Sequence, residues 1–366
     1  MKQTLRYLLI LTLGFSVHGF AGESETAVAA LKAETAALTS EDEAAIIRKL
    51  QEKGPRDAAI EKAVAFLASK QNPDGSFGDN NKAAMTSFAL MAMLASGHTP
   101  ESPKYGPVVK RGITYVLAQM RQDGYLGHAD NSRMYGHGIC TLMLTEAAGM
   151  THDELLERRI MEAVRRAIKL ILQAQSVKKD PMNQGGWRYE PNSTDSDLSL
   201  TGWQTMSLRS AKNIGIEVPG TAIQDAIGYI RRMAHPDGGF GYQNKEDHVP
   251  LRGLGMLALP VCGVYDAPEL VKSTAKMLKD PPRWSGPWFY YGIYYSAVGM
   301  YQMGDQAWDR FFPILDDILL KNQKPDGSWP DPPGNNEAAY GGGVYNTAMA
   351  TLALAVHYHL LPIYQR

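Results

Sequence analysis

The feature that most constrains this chain is a short turn that keeps returning. Asp-Gly followed closely by an aromatic residue occurs as Pro73-Asp74-Gly75-Ser76-Phe77, Asp123-Gly124-Tyr125, Pro236-Asp237-Gly238-Gly239-Phe240 and Pro325-Asp326-Gly327-Ser328-Trp329. Two degenerate copies, Gly185-Gly186-Trp187 and Ser285-Gly286-Pro287-Trp288, fill the gaps. Successive copies stand about 40–60 residues apart, the spacing of helical-hairpin repeats. Proline sets φ, aspartate bonds back to the backbone and glycine accepts positive φ. Each copy therefore reads as a tight turn whose aromatic ring folds back onto a hairpin.

The flanking segments are of two kinds. Before the first turn, Ile60, Ala63, Val64 and Leu67 form an apolar stripe with Glu61, Lys62 and Lys70 off it. Before the last, Phe312, Leu315, Ile318 and Leu319 do the same opposite Asp316, Asp317 and Lys321. These are helices with one wet face. After the turns come segments that are apolar or small on all sides: 83–96, 137–149, 251–263 and 345–357. A helix apolar all round is buried. The repeat is thus outer helix, turn, inner helix. Six such repeats predict an all-α, (α/α)6 toroid over residues 55–366, closed on itself and so without the terminal caps of an open solenoid.

The N-terminal part reads differently. Lys2 and Arg6 precede an apolar run at 7–17, and Gly19-Phe20-Ala21 is a small-x-small cleavage site, so residues 1–22 are expected to be a signal peptide. Residues 23–54 form a Glu- and Ala-rich lead-in, with Ser40 and Glu43 as a capping box. The expectation is an exported protein, periplasmic or extracellular, with no transmembrane span in its mature part. With 37 basic and 38 acidic residues and no long basic run, nucleic acid is not an expected partner. Cys140 and Cys262 both sit in apolar helical runs and read as small buried hydrophobes. No metal or cofactor is implied: there is no HExxH or CxxC pattern, and Gly341-Gly342-Gly343 lacks the Lys-Ser/Thr of a phosphate loop.

Lys62-Ala63-x-x-Phe66-Leu67-x-x-x-Gln71-x-x-x-Gly75-x-Phe77 resembles the QW repeat of triterpene cyclases. Arg111-Gly112-x-x-Tyr115-Val116-Leu117 opens a second copy, and Gln323-x-x-x-Gly327-x-Trp329 ends the sixth. The resemblance is to the squalene–hopene cyclase and protein prenyltransferase superfamily and covers roughly residues 55–360 at the level of repeats. It implies that the glutamine and aromatic tie an outer helix to the next inner helix. It also implies that the inner helices line a central cavity, with their N-termini gathered on one rim. Asp195-Ser196-Asp197 lies where cyclases carry an Asp-x-Asp-Asp motif whose middle Asp protonates an alkene, so the resemblance makes Asp197 the acid, with Asp195 beside it. Leu198 stands where the last Asp of that motif would be.

The six inner-helix starts are rich in polar and aromatic residues, and a closed ring would converge them into one concave site. The candidates are Asp195 and Asp197 for chemistry, and Tyr135, His137, Trp203, His248, Arg252, Tyr290, Tyr291, Tyr294 and Tyr345 for ligand binding. The two aspartates are equally good helix caps. The aromatic rings suit cation–π contact, sugar stacking or plain packing. Two functional readings follow. One is a cyclase- or isomerase-type enzyme acting on an apolar polyprenyl ligand. The other is a non-catalytic, glycan- or peptide-binding, or polysaccharide-processing toroid of the cell envelope using the same rim.

Overall fold

The turns do what their residues dictate. Asp74 Oδ1 accepts from the Ser76 amide at 3.0 Å, Asp123 Oδ1 from the Tyr125 amide at 3.1 Å and Asp326 Oδ1 from the Ser328 amide at 3.0 Å. These observations come from a computed structural model that describes residues 54–335, 337–340 and 342–364. The expected signal peptide and the Ser40/Glu43 lead-in helix lie outside the described residues.

Among the described residues, twelve α-helices alternate between outer and inner positions. The outer set is α1 (Pro55–Ser69), α3 (Gly106–Ala118), α5 (Glu154–Ser176), α7 (Gly220–Arg232), α9 (Pro268–Lys279) and α11 (Asp305–Asn322). The inner set is α2 (Lys82–Ala95), α4 (Arg133–Ala147), α6 (Leu198–Asn213), α8 (Val249–Val261), α10 (Phe289–Gln302) and α12 (Gly342–Ala355). Each inner helix packs on its two inner neighbours, and α12 packs on α2, so the ring closes into an (α/α)6 toroid. No described helix is long and apolar enough to cross a membrane.

Burial follows the two helix types. Every residue of α2 from Ala83 to Ala95 is buried, whereas α1 buries only Ala59, Ile60, Ala63, Val64 and Leu67. In α11 the stripe is centred on Phe311, Leu315 and Leu319 rather than on Phe312 and Ile318. Phe312 instead stacks on Trp308, with the Arg56 guanidinium 3.9 Å from its ring centre. Both cysteines are free: Cys140 is buried, but Cys262 is only partly so because it caps the end of α8.

The turns also staple each repeat to the next. Gly75, Gly124, Gly185, Gly238 and Gly327 all have φ between 85° and 92°, and each lies against the backbone of the following outer helix. A Cβ on Gly75 would sit 2.7 Å from the Arg111 carbonyl oxygen, and one on Gly327 would collide with that of Lys62, back in the first repeat. The glutamines reinforce this. Gln71 Nε2 donates to the Gly75 and Val108 carbonyls at 3.1 and 2.8 Å. Gln323 Nε2 donates to those of Gly327 and Ala59 at 3.0 and 2.8 Å. Gln175 plays the same part in the third repeat, reaching Gly185 and Ala222 at 3.0 and 2.9 Å.

One seam of the inner ring is tighter than the rest. Gly253 of α8 meets the backbone of α10 at Tyr295 and Ser296, and a Cβ on Gly299 would lie 2.7 Å from the Gly253 carbonyl oxygen. The absence of side chains there brings two helix backbones into contact.

Candidate functional site

The turn aromatics anchor the inner helices that carry the site. Trp187 and Trp329 are buried and donate their indole N–H to the Ile171 and Leu319 carbonyls, both at 2.8 Å. In the first and third repeats the backbone N–H of the turn aromatic then donates to a side chain on the coming inner helix: Phe77 N to Thr86 Oγ1 at 2.9 Å, and Trp187 N to Thr201 Oγ1 at 3.1 Å. In the second repeat, His137 takes that role. Its Nδ1 accepts from the Leu126 amide at 3.2 Å, and its Nε2 lies 3.1 Å from the Ala167 carbonyl. Burial lowers its pKa to about 4, so the ring is neutral. His137 therefore joins a turn to two helices and does not face the cavity.

The rim closes around a cavity of about 960 Å³, near the top of the ~300–1,000 Å³ range of ligand sites. Its deeper walls include Met85, Phe88, Ile139, Trp203, Leu251, Tyr291 and Tyr345. Its mouth carries Asn81, Asn131, Arg133, Gln243, Asn244, His248 and Trp288. Phe88 meets Trp203 and Tyr345 edge-on at 5.5 and 5.6 Å, and Trp203 stacks on Tyr294 at 6.1 Å. The described lining residues include no Asp or Glu.

Five of the eleven sequence-derived candidates line this cavity: Tyr135, Trp203, His248, Tyr291 and Tyr345. The other six sit elsewhere. Tyr290 turns away and donates to the Pro330 carbonyl at 2.5 Å. Tyr294 lies beneath the cavity, its hydroxyl 3.3 Å from that of Tyr364. Arg252 is buried in an ion cluster, 2.7 Å from Asp247 and 3.1 Å from Asp280, with Lys276 2.8 Å from Asp247. That cluster fastens the start of α8 to the end of α9.

Asp197 is the N-cap of α6 and is fully buried. Its Oδ1 accepts from the Leu200 amide at 2.8 Å, and its Oδ2 is held by Arg188 Nη1. Arg188 also pairs with Asp195 at 3.0 Å and donates to the Tyr242 hydroxyl at 2.7 Å. The Tyr242 and Tyr189 hydroxyls, on two cavity-lining residues, are 3.0 Å apart. Burial pushes the Asp197 carboxyl up, while the Leu200 amide and the guanidinium pull it back. Neither aspartate lines the cavity; Arg188 links Asp197 to the lining residue Tyr242.

Sequence reasoning missed Arg188, Tyr189, Tyr242, Gln243 and Asn244. All follow directly on a turn aromatic, Trp187 or Phe240, and that position is the signal that could have found them. It also missed Glu337. Its buried carboxylate accepts from the Tyr290 and Tyr291 amides at 3.0 and 3.1 Å and so caps α10 from the far side of the rim.

Fold and site together define an α/α toroid with an aromatic central chamber and an amide-rich mouth. No family model matches the chain. Among curated proteins it is similar to the drimenyl diphosphate synthase of Streptantibioticus cattleyicolor, 24% identical over 213 residues, covering 58% of this chain and 36% of the relative. A drimenyl diphosphate synthase of Streptomyces showdoensis is 27% identical over 218 residues, covering 58% and 35%. The chain thus spans about a third of the length of these relatives. Among solved structures it is similar to an inactive variant of an α-1,6-mannanase, GH76A of Salegentibacter sp. HEL1_6, in complex with α-1,6-mannotriose. That match has a TM-score of 0.64 at 9% identity, over 83% of this chain and 99% of that one. A glycosidase in complex with glucose matches with a TM-score of 0.53 at 13% identity, over 84% and 98%. The solved structures share the toroid; the curated relatives add a weak, terpene-cyclase-like similarity in sequence.

Proposed function

We propose that this protein is an exported receptor for an apolar, isoprenoid-like ligand held in the central chamber. The observation that carries this reading is the chamber wall: Phe88, Ile139, Trp203, Leu251, Tyr291 and Tyr345 around about 960 Å³, with no carboxylate among the described lining residues. Transfer of apolar surface from water into such a space is favourable at roughly 25 cal/mol per Å². The weak likeness to drimenyl diphosphate synthases supports the same ligand class.

Glycoside hydrolysis commonly uses a pair of carboxyl groups about 5–10 Å apart across the ligand, and the described lining residues offer none. Proton-initiated cyclisation needs a carboxylic acid that holds its proton against the ligand. Asp197 is instead committed to Arg188 and to the Leu200 amide at the start of α6. The reading is therefore binding, with Asp197 as cap and ion-pair partner. The glycan alternative draws on one observation, the half-exposed Trp288 beside the amides of Asn131 and Asn244 at the mouth.

Binding of farnesene and of α-1,6-mannotriose to the purified chain separates the two. The expected result is farnesene binding that is weakened in Ile139→Trp, which pushes an indole into the chamber from its wall. Mannotriose binding without farnesene binding would overturn the proposal.

A further inference from the structure

The mouth of the chamber is built at a conformational cost. Four of the five non-glycine residues with left-handed backbone among the described residues line this cavity: Asn81, Asn131, Arg133 and Trp288, with φ of 48°, 60°, 56° and 52°. Each stands at, or just before, the start of α2, α4 or α10. Left-handed backbone is unfavourable for a residue with a Cβ, and such strain gathers where a ligand is met. Trp288 is the clearest case. Its amide donates to Asn335 Oδ1 at 3.2 Å, and Asn335 Nδ2 donates in turn to the Gly286 carbonyl at 2.6 Å. So held, this bulky residue stays 49% exposed.

Contacts run round this rim from α4 to α10. The Tyr135 and Tyr189 rings are 5.9 Å apart, and the Tyr189 and Tyr242 hydroxyls meet at 3.0 Å. The His248 amide donates to the Phe240 carbonyl at 3.0 Å, which pins the loop carrying Gln243 and Asn244 to the start of α8. Gly292 of α10 lies against Pro250 of α8, where a Cβ would sit 3.1 Å from Pro250 Cα.

Three exposed amides on this rim are each fixed by one end. Asn131 Oδ1 accepts from Arg133 Nε at 3.2 Å, and Asn244 Oδ1 from the Glu246 amide at 3.0 Å, so both keep an NH2 group to donate. Gln243 Nε2 donates to the Ser196 carbonyl at 3.2 Å, which leaves Oε1 to accept. Oriented donors and acceptors beside an exposed indole suit hydroxyl groups, which both give and take hydrogen bonds, on a ring whose C–H face can lie on an aromatic. A charged head is not provided for. Of the cationic side chains lining the cavity, Arg133 is 3.3 Å from Glu190 and His248 is 4.0 Å from Glu246.

We infer that the mouth is a subsite for a neutral sugar headgroup, so that the ligand is a glycosylated, isoprenoid-like amphiphile rather than a bare hydrocarbon or its diphosphate. This rests on the reading of the chamber as an apolar-ligand site. The tail lies along Phe88, Ile139 and Tyr345. The sugar stays at the rim, with Trp288 as its stacking face, Asn131 and Asn244 as donors and Gln243 as acceptor.

The test titrates the full chain with farnesyl glucoside, farnesol, farnesyl diphosphate and methyl glucoside. Farnesyl glucoside is expected to bind about tenfold more tightly than farnesol. Trp288→Gly, which keeps the left-handed backbone without strain, should abolish that ratio. Asn244→Asp keeps the turn acceptor, loses the donor and should reduce the ratio; it serves if Trp288→Gly does not fold. On the unaltered protein, saturation-transfer NMR should reach the sugar protons of the glucoside as well as its farnesyl chain. Equal affinity for glucoside and farnesol, a ratio that survives the substitutions, sugar protons without transfer, or tighter binding of the diphosphate would overturn the inference while leaving the chamber reading in place. Methyl glucoside binding as tightly as farnesyl glucoside would overturn the chamber reading and, with it, the amphiphile. Failure of every ligand to bind would overturn both.

Discussion

Gln323 donates a hydrogen bond to the carbonyl of Ala59 at 2.8 Å, across 264 positions of sequence. The same amide holds its own turn at Gly327, whose backbone lies against Lys62. With the Arg56–Asp316 ion pair at 2.7 Å, these contacts lock the sixth repeat to the first.

Gly327→Ala tests the lock. Its φ of 90° is strained for alanine, and the new methyl would strike the Lys62 carbonyl. A left-handed conformation alone costs roughly 1–2 kcal/mol, so the collision should bring the loss to about 3 kcal/mol. Gly149→Ala has a comparable φ of 77° and nothing within 4 Å, and should show the conformational cost alone. Thermal denaturation of the two variants separates the terms.

Adjacent tyrosines should respond differently. Tyr290→Phe removes a bond to the Pro330 carbonyl and is expected to cost about 1 kcal/mol. Tyr291→Phe removes a buried hydroxyl without a protein partner, and the ligand-free protein should melt at the same temperature or slightly higher. A clear drop for Tyr291→Phe would mean that its hydroxyl is already satisfied.

Stability should fall as pH rises through neutrality. Burial raises the Glu146 carboxyl to about 7; its partners are the Ser210 hydroxyl and the Ile363 amide. Glu337 is raised to about 7 in the same way. An acid raised on folding holds more protons folded than unfolded between its two pKa values. Its favourable contribution is complete below about pH 4.5 and lost through about pH 7, by roughly 3 kcal/mol at most at ~1.4 kcal/mol per unit. Glu146→Gln should flatten the melting temperature profile between pH 5 and 8, leaving the slope due to Glu337.

Asp197→Asn discriminates cap from acid. It leaves Arg188, whose side chain is 19% exposed, short of one anion, and should destabilise by about 2 kcal/mol, below the ~3–5 kcal/mol of a fully buried pair. Farnesene affinity is expected to stay within twofold. If affinity collapses while the melting temperature holds, Asp197 acts on the ligand.

The toroid was legible because its signals are local and repeated: a turn chemistry that recurs and a helix type that alternates. The lining was less so. An inner helix that is apolar all round has no wet face to phase it, so nothing in Phe289-Tyr290-Tyr291 reveals which ring faces inward. The structure sends Tyr291 to the chamber and Tyr290 to Pro330. Gln175 escaped notice because ten residues, not four, separate it from its turn glycine. Arg188 was hidden in a loop, and without it Asp197 looks like a lone carboxyl rather than half of an ion pair.

The bare crossing of α8 and α10 at Gly253 and Gly299 makes that side of the barrel rigid: with main chain resting on main chain, no smaller side chain remains to be chosen. A bulkier guest is therefore accommodated not by repacking that crossing but by trimming the side chains of the chamber wall, among them Met85, Phe88 and Ile139 on the opposite arc.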